Sequence, residues 1–191
     1  MSIDYSVYEN ITTLDVQLGA VYYPLLISYA KKQKTVTYGD LVNHAQKEFP
    51  DNQIVKNAIA VSTGRRLNVV RIFTKSRGMP DLSALVIGKS SQECGVGFTQ
   101  AFDPVAVRKE IFEFDWSAVG SEFDSFVEIS VKALKPRKTV KPDAARQLMY
   151  AYWKENQSLL PAKIQENRLY IIEMIQEGFS AEEAFGLAEQ I

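Results

Sequence analysis

Few side chains in this sequence are equipped for chemistry, and their spacing limits what that chemistry could be. The single histidine is His44 and the single cysteine is Cys94. Zinc sites draw several ligands from His and Cys, and one of each provides no such pair. On its segment His44 falls away from the apolar stripe and reads as a solvated or half-exposed side chain. Cys94 lies in SQECGVGF, a stretch expected to be a loop. A reactive thiol needs a cation, a histidine or a helix start to lower its pKa, and the neighbouring residues offer none. Cys94 therefore reads as an incidental free cysteine. Pro80-Asp81 resembles the opening of a metal-dependent nuclease site, but such a site also needs an acid two residues before a lysine. Here Ile87 precedes Lys89 and Val107 precedes Lys109. Glu110, Glu113 and Asp115 read as a solvated helix end with no cation to complete a hydrolytic centre. There is no Gly-x-Ser-x-Gly elbow, no Gly-x-Gly-x-x-Gly and no Walker loop. The expectation is a protein that is not an enzyme, with no metal and no cofactor.

Binding is the remaining class. The chain of 191 residues has a net charge of −1, so no general attraction to nucleic acid follows from its total charge. The charges are segregated, however. Between Lys56 and Lys89 there are seven cations (Lys56, Arg65, Arg66, Arg71, Lys75, Arg77, Lys89) and one anion, Asp81. A second basic run covers Lys132, Lys135, Arg137, Lys138 and Lys141, while 110–128 and 155–189 are mostly acidic. Arg and Asn on one helix face can make paired hydrogen bonds to base edges, and lysines can meet phosphates. Arg65, Arg66, Asn68, Arg71 and Lys75 are the candidate base-facing set, and Arg77 is a further DNA-binding candidate. Lys31, Lys32, Lys34 and Lys89 are candidates for phosphate, with Tyr38 at the start of the neighbouring helix.

The elements that must position these residues follow from periodicity and punctuation. Apolar residues make up 46% of the chain, enough for a core. Residues 1–14 read as a poorly anchored start. A core helix is expected from about Tyr23 to Lys31 or Lys32, with Pro24 in its first turn. Thr37 and Asp40 read as a cap for a helix burying Tyr38, Leu41, Val42, Ala45 and Phe49, ended by Pro50. A third helix starts near Asn52 or Gln53 with Ile54, Ala58 and Val61 on one stripe. It either continues through Gly64 or gives way to a new helix at Arg65. Asn68, Arg71 and Lys75 share its polar stripe in both cases. Gly78 ends it. Leu82–Ile87 is the strand candidate, and Gly95–Phe98 a stiff loop. Asp103-Pro104 opens a helix carrying Val107, Ile111 and Phe114, and a further helix from near Ser121 carries Phe123, Phe126, Val127 and Leu134. The run Lys135–Pro142 (KPRKTVKP) reads as a linker. Three helices follow. The first is marked by Ala145, Leu148, Met149 and Tyr152. The second starts at Pro161 and is marked by Ile164, Ile171, Ile172 and Ile175. The third is capped by Ser180 with Glu183 and carries Ala184, Leu187, Ala188 and Ile191.

Two resemblances sit on particular motifs. Thr35-Val36-Thr37-Tyr38-Gly39-Asp40-Leu41-Val42 is similar to the opening of the winged-helix-like DNA-binding domain of O6-alkylguanine alkyltransferases and their alkyltransferase-like relatives. Val55-Lys56-Asn57-Ala58-Ile59 resembles the Val-Gly-Asn-Ala-Leu of that domain's recognition helix. Asp81 stands where the alkyl-accepting cysteine would be, which removes alkyl transfer. A resemblance covering about residues 23–117 is to the front domain of some bacterial HNH restriction-type endonucleases. It rests on Tyr23-Pro24-Leu25-Leu26, TVTYGDL, Gly78-Met79-Pro80-Asp81-Leu82, Leu85-Val86-Ile87, Gly95-Val96-Gly97-Phe98 and Phe114-Asp115-Trp116-Ser117. The HNH half is missing, since one histidine cannot build it.

These resemblances imply a DNA-associated recognition module of a phage or mobile-element type, reading duplex DNA with a helix-turn-helix. The alternative is a protein-interaction module, such as a phage-encoded inhibitor or an accessory subunit of a host defence or restriction system. The expected fold is mainly α with a small β element. A winged-helix-like domain spans 1–134, a basic linker 135–142 and a three-helix region 143–191, the last a candidate for a protein partner or self-association. No apolar run approaches the about 20 residues of a membrane span, and the start MSIDYSVYEN lacks the pattern of a signal peptide. With the lone cysteine, this gives a cytoplasmic expectation.

Overall fold

The computed structural model describes residues 10–117, 122–134 and 137–189, and it is mainly helical. The chain divides into two compact units, Met1–Leu134 and Lys135–Ile191.

The first unit is built around a pair of helices, α1 (Thr13–Lys31) and α4 (Thr63–Ser76). Helix α1 starts ten residues before the expected Tyr23; of the stretch 1–14 read as a poorly anchored start, Thr12 is its cap and 13–14 are in its first turn, while 1–9 lie outside the described residues. Thr12 accepts from the Asp15 amide, and the Asp15 carboxylate accepts from the Thr12 amide at 2.8 Å, a reciprocal capping box. Pro24 consequently lies inside the helix rather than in its first turn. A proline there forgoes one backbone hydrogen bond and disfavours helix by about 3 kcal/mol. The burial of Tyr22, Tyr23, Leu25 and Leu26 around it offsets that cost.

Helix α2 (Tyr38–Glu48) begins as expected, with Thr37 accepting from the Asp40 amide. Leu41, Val42 and Ala45 are buried, whereas Phe49, expected on that face, is the exposed cap residue. The third helix is a single turn, α3 (Gln53–Lys56), capped by Asn52. The Gln46 amide donates to the carbonyls of Val55, Lys56 and Ala58, which satisfies carbonyls the short turn leaves open. Val55 rather than Ile54 is fully buried. A 3₁₀ turn (Ala60–Ser62) leads into α4, which begins at Thr63 and places Gly64 in its first turn. Its end is a Schellman motif: Gly78 at φ +63° donates to Lys75 O, and Met79 donates to Thr74 O.

The expected strand Leu82–Ile87 is mostly 3₁₀ helix (Leu82–Leu85), with Asp81 accepting from the Ser83 amide. Only β2 (Val86–Ile87) is extended, paired in parallel with β1 (Val36–Thr37) in the register Val36–Val86 and Thr37–Ile87. Among the described residues this pair is the whole sheet, and no antiparallel wing accompanies it. Gly95–Phe98 is not a loop but the start of a short helix, α5 (Val96–Thr99). Helix α6 (Pro104–Glu113) is capped by Asp103, and α7 spans Glu122–Ala133. Tyr23, Phe73 and Phe123 pack α1, α4 and α7 together, with ring centroids 3.9, 4.8 and 5.4 Å apart.

The second unit consists of α8 (Pro142–Asn156), a 3₁₀ segment (Ala162–Asn167), α9 (Arg168–Gln176) and α10 (Ala181–Ala188). Ile164, Ile171, Ile172 and Ile175 are buried as expected, together with Ala145, Met149, Ala184 and Ala188. Leu148 is exposed, Phe185 takes a core place against Tyr152, and Ile191 lies outside the described residues. The Ser180–Glu183 capping box is present. The described part of the basic run is folded onto this unit: Val140 N–H donates to Gln176 O at 3.0 Å, and the Arg137 guanidinium lies 3.9 Å from the Phe179 ring centroid. The Lys138 carbonyl runs so close to Gly178 that a Cβ there would meet it at 2.7 Å.

Two glycines of the first unit make opposite predictions. A Cβ at Gly19 would lie 2.9 Å from Val69 Cβ, across the α1–α4 contact, whereas one at Gly64 would meet nothing within 4 Å. Gly19→Ala should destabilise by about 1–2 kcal/mol through overpacking, net of its gain in helix propensity. Gly64→Ala should stabilise by about 0.5–1 kcal/mol. Urea unfolding of both variants checks the contrast.

Candidate nucleic-acid interface

The candidate cations separate into structural and surface groups. Arg66 is fully buried and donates through Nη1 to Asp15 Oδ1. Arg65 donates through Nη2 to Asp15 Oδ2 and to the Asn10 carbonyl, each at 2.7 Å. Both were candidates for base contact. The pull of a buried carboxylate turns them inward, and Arg66 has no surface to offer DNA. Burial alone would raise the pKa of Asp15, but the Arg66 and Arg65 charges, with hydrogen bonds from Arg66 and Thr12, outweigh it and hold the carboxyl below its ordinary value. Arg77 pairs with Glu122 at 3.2 Å and remains half-exposed. Asn68 and Lys75 are exposed on α4, Lys34 is exposed ahead of β1, and Lys89 is exposed on the turn after β2.

Arg71 lies between these groups. Its Nε donates to Asp81 Oδ2 at 2.7 Å, and its Nη2 lies 3.3 Å from Ser83 Oγ. The guanidinium is 5.0 Å from the Phe98 ring centroid and 5.6 Å from that of Phe102. Tyr38 belongs to the same region, since a Cβ at Gly95 would lie 3.2 Å from its hydroxyl. Burial pushes the Tyr38 pKa up, against a Gly95 hydrogen bond and the Arg71 charge. The motifs TYGD, GMPDLS and GVGF, far apart in sequence, therefore meet around one arginine of α4. Asp81 serves as cap of the 3₁₀ segment and as the carboxylate holding Arg71.

Cys94 also differs from its reading. It is buried, and a cation does lie beside it: Arg108 Nη2 is 3.2 Å from Sγ and also donates to Glu93 Oε1 at 2.6 Å. Arg108 comes from α6, fourteen residues along the chain, and no local pattern marks it. Burial pushes the Cys94 thiol up, and Arg108 only partly counters this. Glu93, Asp15, Ser83 and Phe102 were likewise missed, because their roles depend on partners distant in sequence. His44 is half-exposed between the Tyr29 hydroxyl, 3.2 Å from Nδ1, and Glu48. Among the described residues no three His, Cys, Asp or Glu side chains gather as metal ligands, and no helix is long and apolar enough to cross a membrane. An open depression of about 390 Å³ is lined by Gly78, Met79, Pro80, Glu110, Glu113 and Phe114, and its carboxylates make it a poor place for a phosphate.

No family model, curated protein or solved structure matches this chain.

Two tests follow from the buried groups. Asp15→Asn should remove the buried carboxylate that both inward guanidiniums contact and destabilise the first unit near neutral pH. Because the Asp15 pKa is depressed in the folded state, its stabilisation is complete above the unfolded value of about 4 and is lost as pH falls toward the folded value. Denaturant titrations should therefore show the gap between wild type and Asp15→Asn narrowing below about pH 4. Cys94 should react with a disulfide reagent at the rate at which the protein opens, and at the rate of a free thiol in denaturant.

Proposed function

We propose that the first unit is a non-catalytic module that binds duplex DNA, with α2 and α4 as the two helices of a helix-turn-helix. The observation that carries this reading is the outward stripe of α4. Asn68 and Lys75 are exposed on it, with Arg71 half-exposed between them. These are the residue types that hydrogen-bond base edges in a major groove, at the helical spacing that aligns them. Lys34 and Lys89 supply charges for phosphate contact, while Arg65 and Arg66 support α4 from behind. The likeness of TVTYGDL and GMPDL to DNA-associated domains supports the same reading, and the module's place would be in a phage or mobile element and in the cytoplasm.

A protein-interaction module is the second reading, favoured by one observation. Val96, Phe102 and Val105 are exposed along α5 and the start of α6, and Leu148, Tyr150, Leu159 and Leu169 are exposed in the second unit. Apolar side chains at such density suit a protein partner, including a second copy of this chain through 143–191.

Fluorescence anisotropy on a labelled duplex tests the DNA reading. Affinity should fall steeply with salt. Lys75→Ala and Lys89→Ala should each lower the slope of log affinity against log salt by about 0.9, with unfolding midpoints unchanged. Absence of binding to any duplex at low salt would overturn the DNA reading and leave the protein-interaction one.

A further inference from the structure

The geometry around Arg71 indicates which part of a duplex it would meet. A guanidinium carries five N–H donors in one plane. Asp81 Oδ2 takes Nε–H at 2.7 Å, and Ser83 Oγ sits 3.3 Å from Nη2. These acceptors are joined, since the Ser83 hydroxyl donates to Asp81 Oδ1 at 2.6 Å. Together they cover the side edge of the fork formed by Nε and Nη2. The rings of Phe98 and Phe102 limit how the guanidinium can tilt. The end edge, Nη1 with the remaining Nη2 proton, is left without a hydrogen-bond partner among the described residues, on a side chain 29% exposed. Asn68 lies one turn earlier on the same stripe.

Resting on the DNA-binding reading above, we propose that Arg71 is a specificity-determining residue that reads a guanine in the major groove through this end edge, and that Asp81 is its positioning residue. Guanine offers two acceptors there, N7 and O6, spaced for two parallel N–H donors. An arginine that must first be ordered loses side-chain entropy on binding; one already held by Asp81, Ser83 and two rings loses little. A phosphate could accept the same two donors, so the test must separate base from backbone.

Selection by the full chain from a randomised duplex pool should enrich a guanine at one position. Replacing that guanine by 7-deazaguanine removes N7 but leaves pairing and phosphates intact. Wild-type affinity should then fall about 5- to 100-fold. Arg71→Lys, which keeps the charge but not the fork, should abolish the preference while retaining salt-dependent binding to random DNA. Asp81→Asn, which keeps an acceptor for the Ser83 amide, should weaken the preference, read as the ratio of affinity for the guanine site to affinity for random DNA. Unfolding midpoints measured alongside separate loss of preference from loss of fold, and the 7-deazaguanine comparison needs no variant. Binding to DNA with no guanine enriched, or with 7-deazaguanine tolerated, would overturn this inference and leave the DNA-binding reading in place. No binding to any duplex would overturn both.

Discussion

The first unit depends on one buried carboxylate. Asp15 caps α1 through Thr12 and accepts from both Arg65 and Arg66 of α4. An isolated charge could not occupy that site, since desolvation would drive it toward its neutral form. With two guanidiniums and a backbone amide around it, the carboxyl stays ionised and fixes how α1 and α4 meet. Gly19 then permits the close approach of the two backbones, with Val69 directly opposite. Helix α2 packs against this pair and carries the β1–β2 contact, and the aromatic group of Tyr23, Phe73 and Phe123 brings α7 to it.

That constraint also decides what α4 can present. A helix with four arginines and lysines in fourteen residues looks like an extended basic surface. Packing on α1 divides it: Arg65 and Arg66 become internal ligands of Asp15, and the outward face narrows to Asn68, Arg71 and Lys75. The second basic run has a similar history. KPRKTVKP lacks an apolar pattern, yet its described part is held against α9 through Val140, and Arg137 lies over Phe179. In both places cations that look available in sequence serve as internal contacts.

The sequence by itself determined whatever depends on neighbours a few residues away. Caps at Thr37, Asn52, Asp103 and Ser180 need only a short polar side chain and amides two or three residues on. The stop at Gly78 needs only a residue that accepts positive φ. The isoleucine stripe of the second unit and the mainly helical class follow from periodicity of the same short range. Tertiary structure decided what depends on distant partners. It showed that α1 begins at its Thr12–Asp15 cap, because Asp15 is matched by arginines fifty residues on. It made LSAL a 3₁₀ turn and left only Val86-Ile87 as strand, since Val36-Thr37 offers just two residues to pair. It placed Arg108 beside Cys94 and brought Asp81, Ser83, Phe98 and Phe102 around Arg71. Charge can be counted along a chain, but which charges face solvent depends on where opposite charges end up, and only the packed helices fix that.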